Sequence, residues 1–209
     1  MKLIEEQLLR HGGIPFSILP TQDLEYLHYG LTDDRELEEK EKEDLLRVLR
    51  MCDGIIMPGG CKIFEYDKFI ANYAIENDIP VLGICLGMQT LAAVDCINEK
   101  VVDLIDNGVD HKIQEKFAHK VKLTKDSFLY DIVGNEEFLI NSKHKCHVLK
   151  TNHFDIVGYS EDGIIEAIER KDKRFAIGVQ WHPEIIIDDS KEALKIFEKF
   201  IEISSKKSC

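Results

Sequence analysis

The sequence predicts an α/β fold, an open and mostly parallel sheet with helices on both faces. Three observations carry that expectation. Short apolar runs alternate with helical patterns as far as Ala93, as parallel crossover units do. Two of these runs close on glycine-bounded turns, Asp53-Gly54-Ile55-Ile56-Met57-Pro58-Gly59-Gly60 and Pro80-Val81-Leu82-Gly83-Ile84-Cys85-Leu86-Gly87-Met88-Gln89. A third run ends in Gly178-Val179-Gln180-Trp181-His182-Pro183-Glu184, so three strand ends converge on one side of a sheet. With 209 residues and 44% hydrophobic composition, one domain over residues 1–209 is expected.

Taken in order, Lys2 to Arg10 places Leu3, Ile4, Leu8 and Leu9 at helical spacing, and Gly12-Gly13 ends the helix. Pro15 to Pro20 reads as a short strand and Thr21 to Asp34 as a connecting loop. Glu36 to Met51 predicts a charged helix with Leu37, Leu45, Leu46, Val48 and Leu49 as its apolar stripe, the Glu and Lys run being a solvated face. Phe69, Ile70, Tyr73 and Ala74 mark a helix ending near Asn77. Asp95 to His119 reads as an excursion from the sheet. His119 to Leu123, Glu137 to Asn141, His153 to Tyr159 and Ile164 to Ile168 are further strands, partly antiparallel, and Phe175 to Gln180 returns to the glycine turns. A capping box of Asp189 and Glu192 opens the closing helix, with Ala193, Leu194, Phe197, Phe200 and Ile201 on one face.

The residues at the strand ends suit nucleophilic chemistry. Cys85 lies between Gly83 and Gly87 on a strand-to-helix turn, where bulky flanks would clash. Unsatisfied amides and the dipole at a helix start favour a thiolate there. His182 can act as general base toward that thiol, and Glu184 can hold the ring in the useful tautomer. The Gly59-Gly60 pair lets backbone amides approach a developing oxyanion. A buried cysteine beside tight-packing glycines and a structural histidine after a strand are the bland alternatives.

Together these motifs make the chain resemble the class I glutamine amidotransferases and, within them, the gamma-glutamyl hydrolase (peptidase C26-type) branch. Gly12-Gly13-Ile14-Pro15, Asn141-Ser142-Lys143-His144 and Asp162-Gly163-Ile164-Ile165-Glu166-Ala167-Ile168-Glu169 extend the match from about His11 to Glu184. The resemblance implies a flavodoxin-like sheet and a cysteine-dependent hydrolase of gamma-glutamyl amide bonds, acting through a glutamyl thioester on Cys85 with His182 and Glu184. It implies the amides of Gly60 and Leu86 as the oxyanion hole, and Gln89, Gly59, Asn141, Ser142 and His144 as substrate-binding. Two other readings stay open, a glutaminase subunit supplying ammonia to a separate synthetase and an impaired family member with a binding role. The chain departs from the hydrolase pattern at Leu86, where arginine is usual, and at Lys145 and Cys146, where histidine and glutamine are usual. The family's first strand has no counterpart ahead of Lys2 to Arg10.

Composition narrows the partners. A net charge of −12 and a pI near 5.1 disfavour nucleic acid and anionic membranes. No apolar run is long enough to span a bilayer, and Glu5 and Glu6 stand where a signal sequence would be apolar, so a cytoplasmic protein is expected. Cys52, Cys61, Cys85, Cys96, Cys146 and Cys209 have no disulfide or zinc spacing. His144-Lys145-Cys146-His147 could contribute to a metal site, but further ligands are not evident, and neither metal nor cofactor is expected. The expected ligand is a small gamma-glutamyl compound, with a homodimer left open.

Overall fold

The computed structural model describes residues 2–18, 20, 35–97 and 99–206. It contains α1 (Lys2–Arg10), α2 (Glu39–Leu49), β1 (Ile55–Met57), α3 (Glu65–Glu76), β2 (Val81–Ile84), α4 (Leu86–Asp95), β3 (Val102–Leu104) and β4 (His119–Leu123). There follow α5 (Phe128–Val133), β5 (Glu137–Ile140), β6 (Cys146–Val148), β7 (Asp155–Ser160), β8 (Ile165–Glu169), β9 (Ala176–Val179), α6 (Pro183–Ile186) and α7 (Lys191–Ser204).

One sheet runs β1-β2-β9-β8-β7-β4-β5, with β6 joining β8 at its side and β3 pairing β6. The segment β1-β2-β9 is parallel, with Ile55 opposite Val81 and Leu82 opposite Ile177. Every other strand pair is antiparallel. The expected α/β sheet is present, but its parallel part is only three strands wide among the described residues. Strands joined without crossover helices, from β3 to β9, pair antiparallel.

Alternation along β2 divides the core. Leu82 and Ile84 face a cluster with Ile4, Ile177, Val179, Trp181, Phe197 and Phe200, whereas Val81 faces Leu49, Ala71, Ala74, Met88 and Leu91. Helices α1, α6 and α7 therefore cover one face, and α2, α3 and α4 the other. Because both faces are covered, β2, β8 and β9 are buried along their whole length.

Several expectations change. Residues 15–18 and 20 form no strand, and Ile14 and Phe16 are exposed. An apolar run without a strand neighbour to bond has no sheet to join. The family's first strand is likewise not supplied by the start of the chain, which is helical from Lys2. The loop expected over Thr21 to Asp34 lies outside the described residues. The excursion after Asp95 contains β3, and β6, α5 and α6 are additional elements. Ser190, rather than Asp189, caps α7, its Oγ accepting from the Ala193 amide at 3.2 Å. Among the described residues no helix is long and apolar enough to cross a membrane.

Candidate active site

Cys85 separates the end of β2 from the first turn of α4 and adopts φ 52°, ψ −102°. That conformation is costly for a residue with a Cβ, on the order of 1–3 kcal/mol, and persists only where the surroundings impose it. The Cys85 amide donates to Val179 O at 2.8 Å, which ties the turn to β9. A Cβ on Gly87 would stand 2.2 Å from Met57 O, so the turn packs directly on the β1 backbone and only glycine fits.

His182 leaves the end of β9, and Pro183 starts α6 immediately after it. The His182 Nδ1 lies 2.8 Å from Glu184 Oε1, which leaves Nε2 for the hydrogen bond with the Cys85 thiol. Asn141, from the end of β5, grips the backbone on both sides of this ring. Its Oδ1 accepts from His182 N at 2.9 Å and its Nδ2 donates to His182 O at 2.7 Å. A Cβ on Gly59 would lie 2.5 Å from His182 Cε1, so the first glycine of the β1 turn gives the imidazole its space. Burial works against a charged ring, but hydrogen bonds with Cys85 and then Glu184 outweigh it and raise His182 to about 9.

Nucleophile, base and orienting carboxylate are therefore assembled by two strand ends, Cys85 after β2 and both His182 and Glu184 after β9, with Gly59 after β1 and Asn141 after β5 bearing on the imidazole. The Peptidase C26 family profile matches residues 65–184, more than half of the chain and all of this triad. The chain belongs to the peptidase C26 family. A CTP synthase of Nautilia profundicola is 30% identical over 85% of this peptidase C26 chain and 40% of its own length. A glutamine amidotransferase-like protein of Rickettsia prowazekii is 25% identical over 78% of the chain and 81% of its own length. Among solved structures, the glutaminase domain of Trypanosoma brucei CTPS with bound acivicin aligns with a TM-score of 0.70 and 21% identity, covering 100% of this chain and 87% of that one. The chain spans less than half the length of the CTP synthases that it matches. The fold and the class I glutamine amidotransferase-like assignment follow, and with them a cysteine hydrolase.

The remaining family positions are placed as follows. Leu86 opens α4, so its amide is a first-turn donor without an intrahelical acceptor. Gly60 lies beside it, a Cβ there falling 2.7 Å from Leu86 Cδ2. Gln89 is buried, and its Nε2 donates to Gln180 Oε1 at 3.1 Å and to Cys146 O at 3.2 Å, bracing α4 against β9 and β6. The Ser142 hydroxyl donates to His111 O at 2.7 Å, and His144 Nδ1 donates to Cys146 O at 3.0 Å. Asn141, Ser142 and His144 thus spend these groups on protein partners behind the triad. The Asn141 clamp and the Gln89–Gln180 bond are positioning contacts that the sequence does not announce, since each joins residues far apart in the chain.

His144 also belongs to a group with buried His111 and Glu166 and half-buried His119. Burial pulls His144 down to about 4 and pushes Glu166 up to about 8. Two surface depressions of about 580 and 620 Å3 contain none of the triad residues. Triad chemistry, rather than depression size, marks the candidate site.

Proposed function

We propose that this chain is a glutaminase that releases ammonia from the glutamine side-chain amide for a separate synthetase-type partner. The Cys85–His182–Glu184 arrangement carries the hydrolytic part of this reading. Similarity to CTP synthase over 85% of the chain favours glutamine over a larger gamma-glutamyl amine. Leu86 agrees with that choice, because the residue after the nucleophile departs from the hydrolase pattern. Gamma-glutamyl amine hydrolysis, the first expectation from sequence, becomes the second reading.

In the proposed cycle the proton of the Cys85 thiol moves to His182, and the sulfur attacks the amide carbon. His182, raised to about 9, holds that proton at neutral pH until the leaving nitrogen takes it and ammonia departs. Water then gives a proton to His182 and attacks the thioester, releasing glutamate and restoring the thiol. Amides of Gly60 and Leu86 stabilise the oxyanion in both halves, each worth about 3 kcal/mol in comparable sites.

The test is turnover of glutamine against a panel of gamma-glutamyl amines, with ammonia and glutamate measured, with and without a synthetase-type partner. Glutamine is expected to be the preferred substrate, with ammonia release stimulated by the partner. Faster glutamate release from a gamma-glutamyl amine than from glutamine, unaffected by any partner, returns the assignment to the hydrolase.

A further inference from the structure

Behind the thiol centre, four side chains from four separate segments converge. His111 comes from the excursion before β4, His119 opens β4, His144 lies between β5 and β6, and Glu166 is on β8. Backbone bonds fix two of these segments together, His144 N donating to His111 O at 3.0 Å and Ile113 N to Ser142 O at 2.9 Å. One potential ligand atom from each residue lies within 4.8 Å of all the others. Glu166 is fully buried, and neither of its oxygens has a hydrogen-bond partner.

The outer nitrogens determine what the inner ones present. His111 Nε2 faces Asp162 Oδ2 at 2.8 Å, a carboxylate that also accepts from Asn107 Nδ2 at 2.7 Å and from Ser160. His119 Nδ1 faces Lys120 O at 3.2 Å, and His144 Nδ1 faces Cys146 O at 3.0 Å. All three outer partners are acceptors, so each outer nitrogen carries the hydrogen. The neutral rings then turn lone pairs inward at His111 Nδ1, His119 Nε2 and His144 Nε2. The Ser142 hydroxyl, 3.3 Å from His111 Nδ1, gives its hydrogen to His111 O at 2.7 Å. Glu166 Oε1 lies 3.7, 3.7 and 3.5 Å from the three inner nitrogens.

With Glu166 ionised, four acceptors thus face one another without a donor, an arrangement that repels itself unless a cation, or a proton taken up by Glu166, lies between them. Zinc at about 2.0–2.1 Å from tetrahedral ligands implies ligand-to-ligand edges of roughly 3.4 Å. The observed approaches to Glu166 are close to that value. Each imidazole also bonds an acceptor through its other nitrogen, the usual support of a metal-bound histidine.

We propose that His111, His119, His144 and Glu166 form a structural zinc site. The ligand side chains are at most 14% exposed, so the four-coordinate site is closed to substrate. The ion would pin the segment running from Asn141 to Cys146, which clamps His182 through Asn141 and receives Gln89 at Cys146 O. Proximity to His144 in sequence misleads about its partners, since His147 lies on β6 opposite Asp103.

The test uses the Cys85→Ala protein, so that no metal is captured by the catalytic thiol. After chelation, removal of the chelator and reconstitution with zinc or cobalt(II), bound zinc and cobalt(II) absorption are measured in this protein and with His119→Gln or Glu166→Gln added, folding being monitored by circular dichroism. The expected result is one zinc per chain and a tetrahedral cobalt spectrum without a sulfur charge-transfer band. Each added substitution should weaken zinc binding at least 100-fold. Absence of stoichiometric metal in the folded Cys85→Ala protein overturns the site. Undiminished binding in both folded ligand variants also overturns it.

Discussion

The thiol centre and the histidine cluster lie side by side in one sheet, yet they settle their buried charges differently. At the thiol centre each reactive group has a neighbour of opposite character, Cys85 with His182 and His182 with Glu184. In the cluster, three imidazoles and an ionised Glu166 present only acceptors to one another. A second glutamate on β8 sharpens the contrast. Glu169 is equally buried, but its two oxygens accept from the Phe128 and Leu129 amides at 2.8 Å each, at the start of α5. Burial of a carboxylate therefore has no functional meaning by itself. What distinguishes Glu166 is burial without a donor.

The largest effect that would break this division is persistence of chemistry without the thiol. Cys85→Ala should lower kcat by about 10^4-fold or more and abolish labelling by a glutamine-like electrophile, with the circular dichroism spectrum retained. Cys52→Ala and Cys61→Ala should stay within about twofold of wild type, since neither touches the triad. Comparable turnover in the Cys85→Ala protein would move the nucleophile elsewhere.

Next comes the division of labour within the triad. His182→Ala should cost roughly 10^3–10^4-fold in kcat and Glu184→Gln less, because the histidine moves protons while the glutamate orients it. A Glu184→Gln protein that is slower than His182→Ala would reverse the assignment.

A third expectation concerns stability against pH. The folded value of His182 lies above its ordinary 6.5, so the native state holds the proton more tightly than the unfolded chain. Its stabilisation is complete below about 6.5 and is lost as pH rises through about 9, amounting to about 3 kcal/mol at 1.36 kcal/mol per tenfold change. Denaturant titrations across this range should show the decline, and His182→Gln should flatten it. An equal slope in the variant would assign the titration to another group.

The smallest expected effect tests the bridge between the two regions. Asn141→Ala removes both side-chain bonds to the His182 backbone, at a cost of about 1–3 kcal/mol in stability. A misplaced base should lower kcat by about 10- to 100-fold while leaving KM nearly unchanged. A change confined to KM would instead make Asn141 a substrate contact.

What could be read from sequence follows from how locally each feature is encoded. Gly83, Cys85 and Gly87 occupy one turn, and His182, Pro183 and Glu184 are consecutive or nearly so, so the triad is visible as short motifs. The cluster draws its residues from positions 111, 119, 144 and 166, and only strand pairing brings them together. The strand expected at Pro15 to Pro20 fails because an apolar run specifies a strand only when a neighbouring backbone is available. At three residues each, β3 and β6 are too short for a period. Helix α5 is also short, yet Ser127, whose Oγ accepts from Tyr130 N at 3.0 Å, and Gly134 at φ 69° are readable start and stop signals.

The position of β9 between β2 and β8 has a consequence for a chain made from its N-terminus. Val179 accepts the Cys85 amide, and His182 follows it at once, so one late strand both bends the nucleophile into its strained turn and delivers the base. Roughly a hundred residues separate thiol from base, or about 5–20 s of synthesis at ordinary rates. During that interval the nascent chain carries an ordinary cysteine. Completion of the sheet and arming of the enzyme are a single event.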